Sequence, residues 1–215
     1  MTLSSDDVSG SAKDSTCGNL EGAGQKKNTG KKNNENRILF IEMFAGARVL
    51  GKSVKSWDVY VHLFDVKNKC KSKPMDLLDA RCQEHIGELL ASPNCGGLWF
   101  AMPGGTFSSA RRYDGKGPRP LRSREYVTGF PSVTGRDTAR VASANELVKV
   151  MSRLYCQAVD HDMPFMIENP RSSLLWQMPL AKELAAKTGV DFSRYDYCQF
   201  GRNEVDETYQ AYGMG

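Results

Sequence analysis

The sequence predicts an α/β fold: a mostly parallel sheet with helices on both faces. Three observations support this. Short, nearly continuous apolar runs recur through residues 37–202, as strands buried on both faces require. Stretches of helical spacing separate these runs, and strands alternating with helices imply parallel pairing through right-handed crossovers. The size is also bounded: 215 residues, 40% hydrophobic and 25% charged, make one domain and a tail.

Residues 1–36 are rich in Ser, Gly, Asn, Lys and Asp. They carry too little apolar surface to offset their ordering entropy, so a disordered tail is expected. Lys26, Lys27, Lys31 and Lys32 within it read as solvated charge, with a nuclear-localisation or phosphate-contact patch as the sharper alternative.

The domain, residues 37–202, begins with an apolar strand over Ile38–Phe44. Ala45-Gly46-Ala47 turns the chain into a short helix ending near Lys55. Val59–Asp65 is the second strand. Asp76-Leu77-Leu78-Asp79 opens a helix to about Leu90, and acids suit that end of the dipole. Gly97–Met102 is the third strand, followed by a long Arg- and Gly-rich loop over 103–137. The spacing of Val141, Leu147, Val150, Met151, Leu154 and Tyr155 predicts a helix over Thr138–Asp160. Pro164–Glu168 is a strand, 178–188 a helix and Arg194–Phe200 the last strand. Residues 203–215 are read as a C-terminal tail. Without a final antiparallel strand, the last sheet edge would be exposed.

The composition also excludes several classes. No run approaches the roughly 20 apolar residues of a membrane helix, and Met1–Gly10 lacks the apolar core of a secretory signal. The six cysteines, Cys17, Cys70, Cys82, Cys95, Cys156 and Cys198, contain no Cys-x-x-Cys pair. This argues against structural zinc and a disulfide framework, and for a reducing, intracellular setting. A net charge of +4 implies no polyanion by itself. Its distribution is uneven: Arg111–Arg140 holds eight basic residues against three acidic ones. Arg111, Arg112, Arg119, Arg122, Arg124 and Arg140 are candidate phosphate contacts. Tyr113, Tyr126 and Phe130 are candidate stacking residues. The plain alternative is a solvated loop.

In open α/β sheets, ligands bind beyond the carboxyl ends of the strands. There the sequence places Glu42-x-Phe44-Ala45-Gly46, whose glycine permits close backbone approach. Asp65, about 20 residues on, has the spacing of a ribose-binding acid. An ordinary turn and a solvated acid remain the alternative. Two further strand ends, Pro103-Gly104-Gly105-Thr106-Phe107-Ser108 and Glu168-Asn169-Pro170, are expected to face one pocket. Glu168 is then a pocket acid or, more simply, an acceptor in a tight turn.

In order and spacing, these pieces resemble the cytosine-5 DNA methyltransferase family, most nearly its small divergent phage, viral and protist branch. The resemblance runs over about residues 37–202. It is carried by Phe44-Ala45-Gly46, Asp65, Asp76–Asp79, Pro103-x-x-Thr106-x-Ser108 and Gly117-Pro118-x-Pro120-Leu121-Arg122-Ser123. It continues through Arg140-Val141, Asn145-x-Leu147, Glu168-Asn169-Pro170, Ser173-x-Leu175-Trp176 and Cys198-Gln199-Phe200-Gly201. The resemblance implies a Rossmann-like methyltransferase fold, incomplete at the C-terminus because relatives continue beyond this point. It implies S-adenosylmethionine as cofactor, held by Phe44, Ala45 and Gly46 (methionine part), Asp65 (ribose), Asp76 (near the adenine) and Pro103. It implies DNA, single- or double-stranded, as partner, no metal, and a nuclear site in a eukaryotic host. Glu168 and Asn169 take the places of the family's catalytic acid motif.

Two departures decide the chemistry. The family's nucleophilic cysteine is replaced by Gly104, which has no side chain, so impaired catalysis is expected. Where the family has a second turn glycine stands Arg48, so weaker cofactor binding is expected. No other cysteine is placed to substitute. Cys95 lies on the order of 25 Å away along the chain, Cys156 falls on a helix, and nothing aims Cys198 at the pocket. The competing functions are a non-catalytic nucleic-acid-binding module and a gene remnant. A methyltransferase of another class ranks last, because Ala101 and Met102 offer no hydrogen bond to an amine.

Overall fold

The computed structural model describes residues 37–66, 75–196 and 207–213. The expected tail over 1–36 lies outside them, as do Cys17, Cys70 and Cys198. Six strands form one sheet: β1 (Leu39–Met43), β2 (Tyr60–Phe64), β3 (Cys95–Ala101), β4 (Phe165–Pro170), β5 (Val190–Asp196) and β6 (Glu207–Gly213). The helices are α1 (Val49–Lys55), α2 (Ala80–Leu90), α3 (Arg136–Asp160) and α4 (Pro179–Ala185), with a 3₁₀ turn at Leu174–Gln177. The strand order is β2-β1-β3-β4-β6-β5. The first four strands are parallel, and β6 runs antiparallel between β4 and β5. This is a Rossmann-like α/β fold.

The final antiparallel strand corrects the sequence reading. Glu207–Gly213, read as tail, pairs residue by residue with β4 and β5. It lies between β4 and β5, and β5 forms the sheet margin. The strand before it is Val190–Asp196, beginning four residues ahead of the expected Arg194–Phe200, whose residues 197–200 lie outside the described ones. Cys95, placed ahead of β3 by the sequence, is its first residue.

Strand pleating sends alternate side chains to opposite faces. One face presents Ile41, Met43, Phe64, Leu98, Phe100, Phe165 and Ile167, all buried. They form one core with Ile86 and Leu90 of α2, Met151, Leu154 and Tyr155 of α3, and Leu184 of α4. Each such fully buried side chain contributes about 1.5–3 kcal/mol relative to exposure. The other face carries Glu42, Leu63, Trp99, Ala101, Met166 and Glu168, and α1 packs there through Gly51. The β1–β3 pairing skips Gly96. Beside this bulge Gly97 has a φ of 148°, and a Cβ there would press on the Pro164 carbonyl at 3.0 Å, so a side chain would be strained.

Local sequence sets the helix ends that position the site. Asp79 is the N-cap of α2, its Oδ1 accepting the Arg81 amide at 2.9 Å. Among the described residues, no helix is long and apolar enough to cross a membrane.

Candidate active site

The carboxyl ends of β2, β1, β3 and β4 lie side by side, and they bring most of the predicted site residues to one end of the sheet. After β1 the chain makes a tight turn with three residues at positive φ: Phe44 (59°), Gly46 (45°) and Arg48 (59°). Gly46 is exposed, and a Cβ there would meet nothing nearer than the Phe44 carbonyl at 3.8 Å. The backbone is thus open to a ligand. Asp65 is buried at the end of β2, and its Oδ2 accepts the Gly46 amide at 2.9 Å. The acid that spacing assigned to a ribose therefore also closes the turn. Phe44 packs edge-on against Phe100 of β3. Asp76 is exposed ahead of α2, its Oδ1 accepting the Leu78 amide at 2.9 Å. The Gly46 turn, held by Asp65, leaves main chain accessible to a ligand, and the Phe44–Gly46 turn and Asp65 are the residues that would hold the methionyl and ribosyl parts of S-adenosylmethionine. When bound, that group supplies an electrophilic methyl.

Glu42, one residue inside β1, is buried beneath α1. Burial pushes its carboxyl above the usual range, partly offset by the Gly51 amide. Its Oε2 has no hydrogen-bond partner among the described residues.

The two residues of the Glu168-Asn169 pair separate. They are adjacent on β4, so they face opposite sides of the sheet. Glu168 is half-buried beside its register partner Ala101, three residues before Gly104. Asn169 is buried at 2% exposure, and its Nδ2 donates to the Met102 carbonyl at 2.6 Å. Asn169 therefore anchors the chain just ahead of Pro103 rather than facing the same side as Glu168. Pro103 is exposed and Gly104 half-buried. A Cβ at Gly104 or Gly105 would meet nothing within 4 Å. Position 104 is therefore open space, at a φ that side chains tolerate.

The loop after Gly104 is a built structure, and it redistributes the arginines. Arg122 is 3% exposed. Its Nε donates to Thr106 Oγ1 at 3.0 Å, Nη1 to the Val127 carbonyl and Asn145 Oδ1 at 2.7 Å each, and Nη2 to the Val141 carbonyl at 3.1 Å. The guanidinium lies 4.1 Å from the Phe107 ring centre. This corrects its reading as a phosphate contact: its donors are spent inside the protein. Arg111 is half-buried and donates to the Gly105 carbonyl at 2.8 Å and the Arg119 carbonyl at 2.9 Å. Arg119 and Arg140 both meet Asp137, at 3.5 and 3.1 Å. Arg112 reaches Asp114 only at 4.0 Å, and Arg124 is exposed. The loop presents less free charge than its composition suggests. Ser109 also donates to Ser172 at 2.7 Å, which ties the loop to the turn after β4.

Among the described residues, no cysteine lies at this turn. Cys95 is at the far end of β3, on the order of 20 Å from the turn. Cys82 is buried in α2, and desolvation pushes its thiol up to about 11. Cys156 is exposed on α3. Two structural features escaped the sequence reading: Arg122 as a strut, for which a loop arginine carries no signal, and the strand β6. The latter did leave a signal, since Thr208-Tyr209-Gln210-Ala211-Tyr212 is rich in strand-forming residues.

No family model and no curated protein matches the chain. Among solved structures, it is similar to the Entamoeba histolytica methyltransferase EhMeth, at 14% identity and a TM-score of 0.47. The similarity covers 83% of this chain and 53% of that one, so the chain spans about half the length of that structure.

Proposed function

We propose that this chain is a cytosine-5 DNA methyltransferase-like protein in which catalysis is impaired by loss of the nucleophile. The observation that carries the reading is the open position at Gly104, three residues beyond the register partner of Glu168. Cytosine C5 becomes nucleophilic only after an adduct forms at C6, and the base must first leave the stack to reach a pocket. Glu168 is the residue to hold the base edge. Asn169 fixes the turn through Met102. Phe44, Ala45, Gly46, Asp65, Asp76 and Pro103 would hold S-adenosylmethionine. The exposed Arg112, Arg119, Arg124 and Arg140 would meet DNA phosphates, in the nucleus of a eukaryotic host.

The test is labelled-methyl transfer to cytosine-containing DNA by the unmodified chain and by Gly104→Cys. We expect no transfer from the first and measurable transfer from the second. Activity in the unmodified chain would sink the impaired reading. Silence from both, with no cofactor binding by calorimetry, would favour the second reading, a nucleic-acid-binding module. The exposed arginines of the loop favour that alternative. It predicts DNA binding that weakens steeply with salt and ignores the cofactor.

A further inference from the structure

Arg122 is a buried cation whose four hydrogen-bond acceptors are all neutral: a threonine hydroxyl, an amide oxygen and two main-chain carbonyls. No carboxylate answers it in those bonds. Desolvation lowers its pKa to about 10, still well above neutral pH, so the guanidinium stays charged. A buried charge held only by dipoles is costly. Its bonds join three segments: Thr106 in the turn after Gly104, Val127 in the loop, and Val141 and Asn145 in α3. Asn145 in turn donates to the Thr128 carbonyl at 2.9 Å. Phe107, beneath the guanidinium, is fully buried, and its carbonyl accepts the Leu174 amide at 2.9 Å. The turn carrying Gly104 is therefore clamped from α3 on one side and from the segment after β4 on the other.

We propose that Arg122 is the positioning residue of the Gly104 turn: it locks the Pro103–Phe107 turn onto α3 and holds a positive charge, met only by neutral acceptors, beside it, so that position 104 favours an anion. The inference rests on the methyltransferase-like reading only for the identity of that anion, a thiolate. Thr106 is two residues from Gly104, at most about 7 Å of chain, which puts the guanidinium on the order of 10 Å from a side chain at 104. At an effective dielectric near 20, one unit charge at that range increases the thiolate fraction roughly tenfold. Among the described residues, hydrogen bonds and strand register also bring Arg111, on the Gly105 carbonyl, and Glu168, on β4, to the turn. They are opposite in sign and offset each other in part.

The experiment measures the rate of iodoacetamide alkylation against pH for Gly104→Cys. The reference is Gly117→Cys, an open position in the same loop with nothing within 4 Å of its Cβ. We expect the Gly104→Cys midpoint to lie about one pH unit below that of Gly117→Cys. It should return toward the reference when Arg122→Met is added, stay low when Arg122→Lys is added, and move less with Arg111→Gln than with Arg122→Met. If Arg122→Met fails to fold by circular dichroism, the comparison of Gly104→Cys with Gly117→Cys still decides. A Gly104→Cys midpoint equal to or above the reference overturns the proposal, as does one that Arg122→Met leaves unchanged in folded protein. A lowered midpoint without methyl transfer supports the role of Arg122 and sinks the methyltransferase reading. Transfer with an ordinary midpoint does the reverse.

Discussion

Arg48 and Gly104 have exchanged the side chains that their backbones suit. Arg48 sits at φ 59° and ψ 30°, a left-handed conformation that costs an L-residue about 1–2 kcal/mol and that glycine adopts freely. Gly104 has an unstrained φ and open space where a side chain would fit. Arg48→Gly is therefore expected to stabilise the fold by about 1 kcal/mol. The check is a higher urea midpoint at unchanged slope; a lower midpoint would mean that the arginine makes contacts worth more than its strain. Neither oddity is visible in composition, because both are properties of dihedral angles. The resemblance flagged both positions. Only the backbone shows that one is strained and the other vacant.

At the scale of elements, α1 and β1 are fitted to each other through one glycine. Helix propensity favours alanine over glycine at position 51 by about 1 kcal/mol. Sterics oppose it: a Cβ there would lie 2.5 Å from Glu42 Oε2 and 2.7 Å from Leu63 Cδ2. Overpacking of this kind costs about 1–3 kcal/mol, so Gly51→Ala should lose stability on balance, measurable by thermal or urea unfolding. A gain would show that α1 can slide on the sheet. Element identities were largely legible, because β1 to β4 are apolar runs and α3 has a clear stripe. Boundaries were less so. The shift of β5 to Val190–Asp196 and the placement of β6 depend on pairing across the sheet, and local pattern does not encode a partner.

For the whole molecule, Glu42 links stability to pH. Its folded pKa is raised by burial. Its contribution is therefore most favourable below the unfolded value, where the carboxyl is protonated in both states, and is lost as pH rises through the folded value. Glu42→Gln removes that loss. The variant should be more stable than the parent at pH 7–8, with the gap closing toward pH 4. Parallel unfolding curves across that range are the measurement, and a gap that widens in acid would refute the assignment.

The α/β class, the first four strands along the chain and the placing of Phe44, Asp65, Pro103 and Glu168 at strand ends were all readable from the chain, because hydrophobic period and turn residues are local properties. The absence of a thiol at Gly104 was equally plain. The tertiary structure decided what depends on neighbours distant in sequence. It turned Arg122 from a surface charge into a buried strut, turned Asn169 from a partner of Glu168 into an anchor for Met102, and moved Glu207–Gly213 from a tail into the sheet. The reason is the same in each case. A side chain's burial and a strand's pairing are set by the groups that satisfy their hydrogen bonds, and those groups lie 16 to 67 residues away in the cases of Arg122 with Thr106 and Asn169 with Met102.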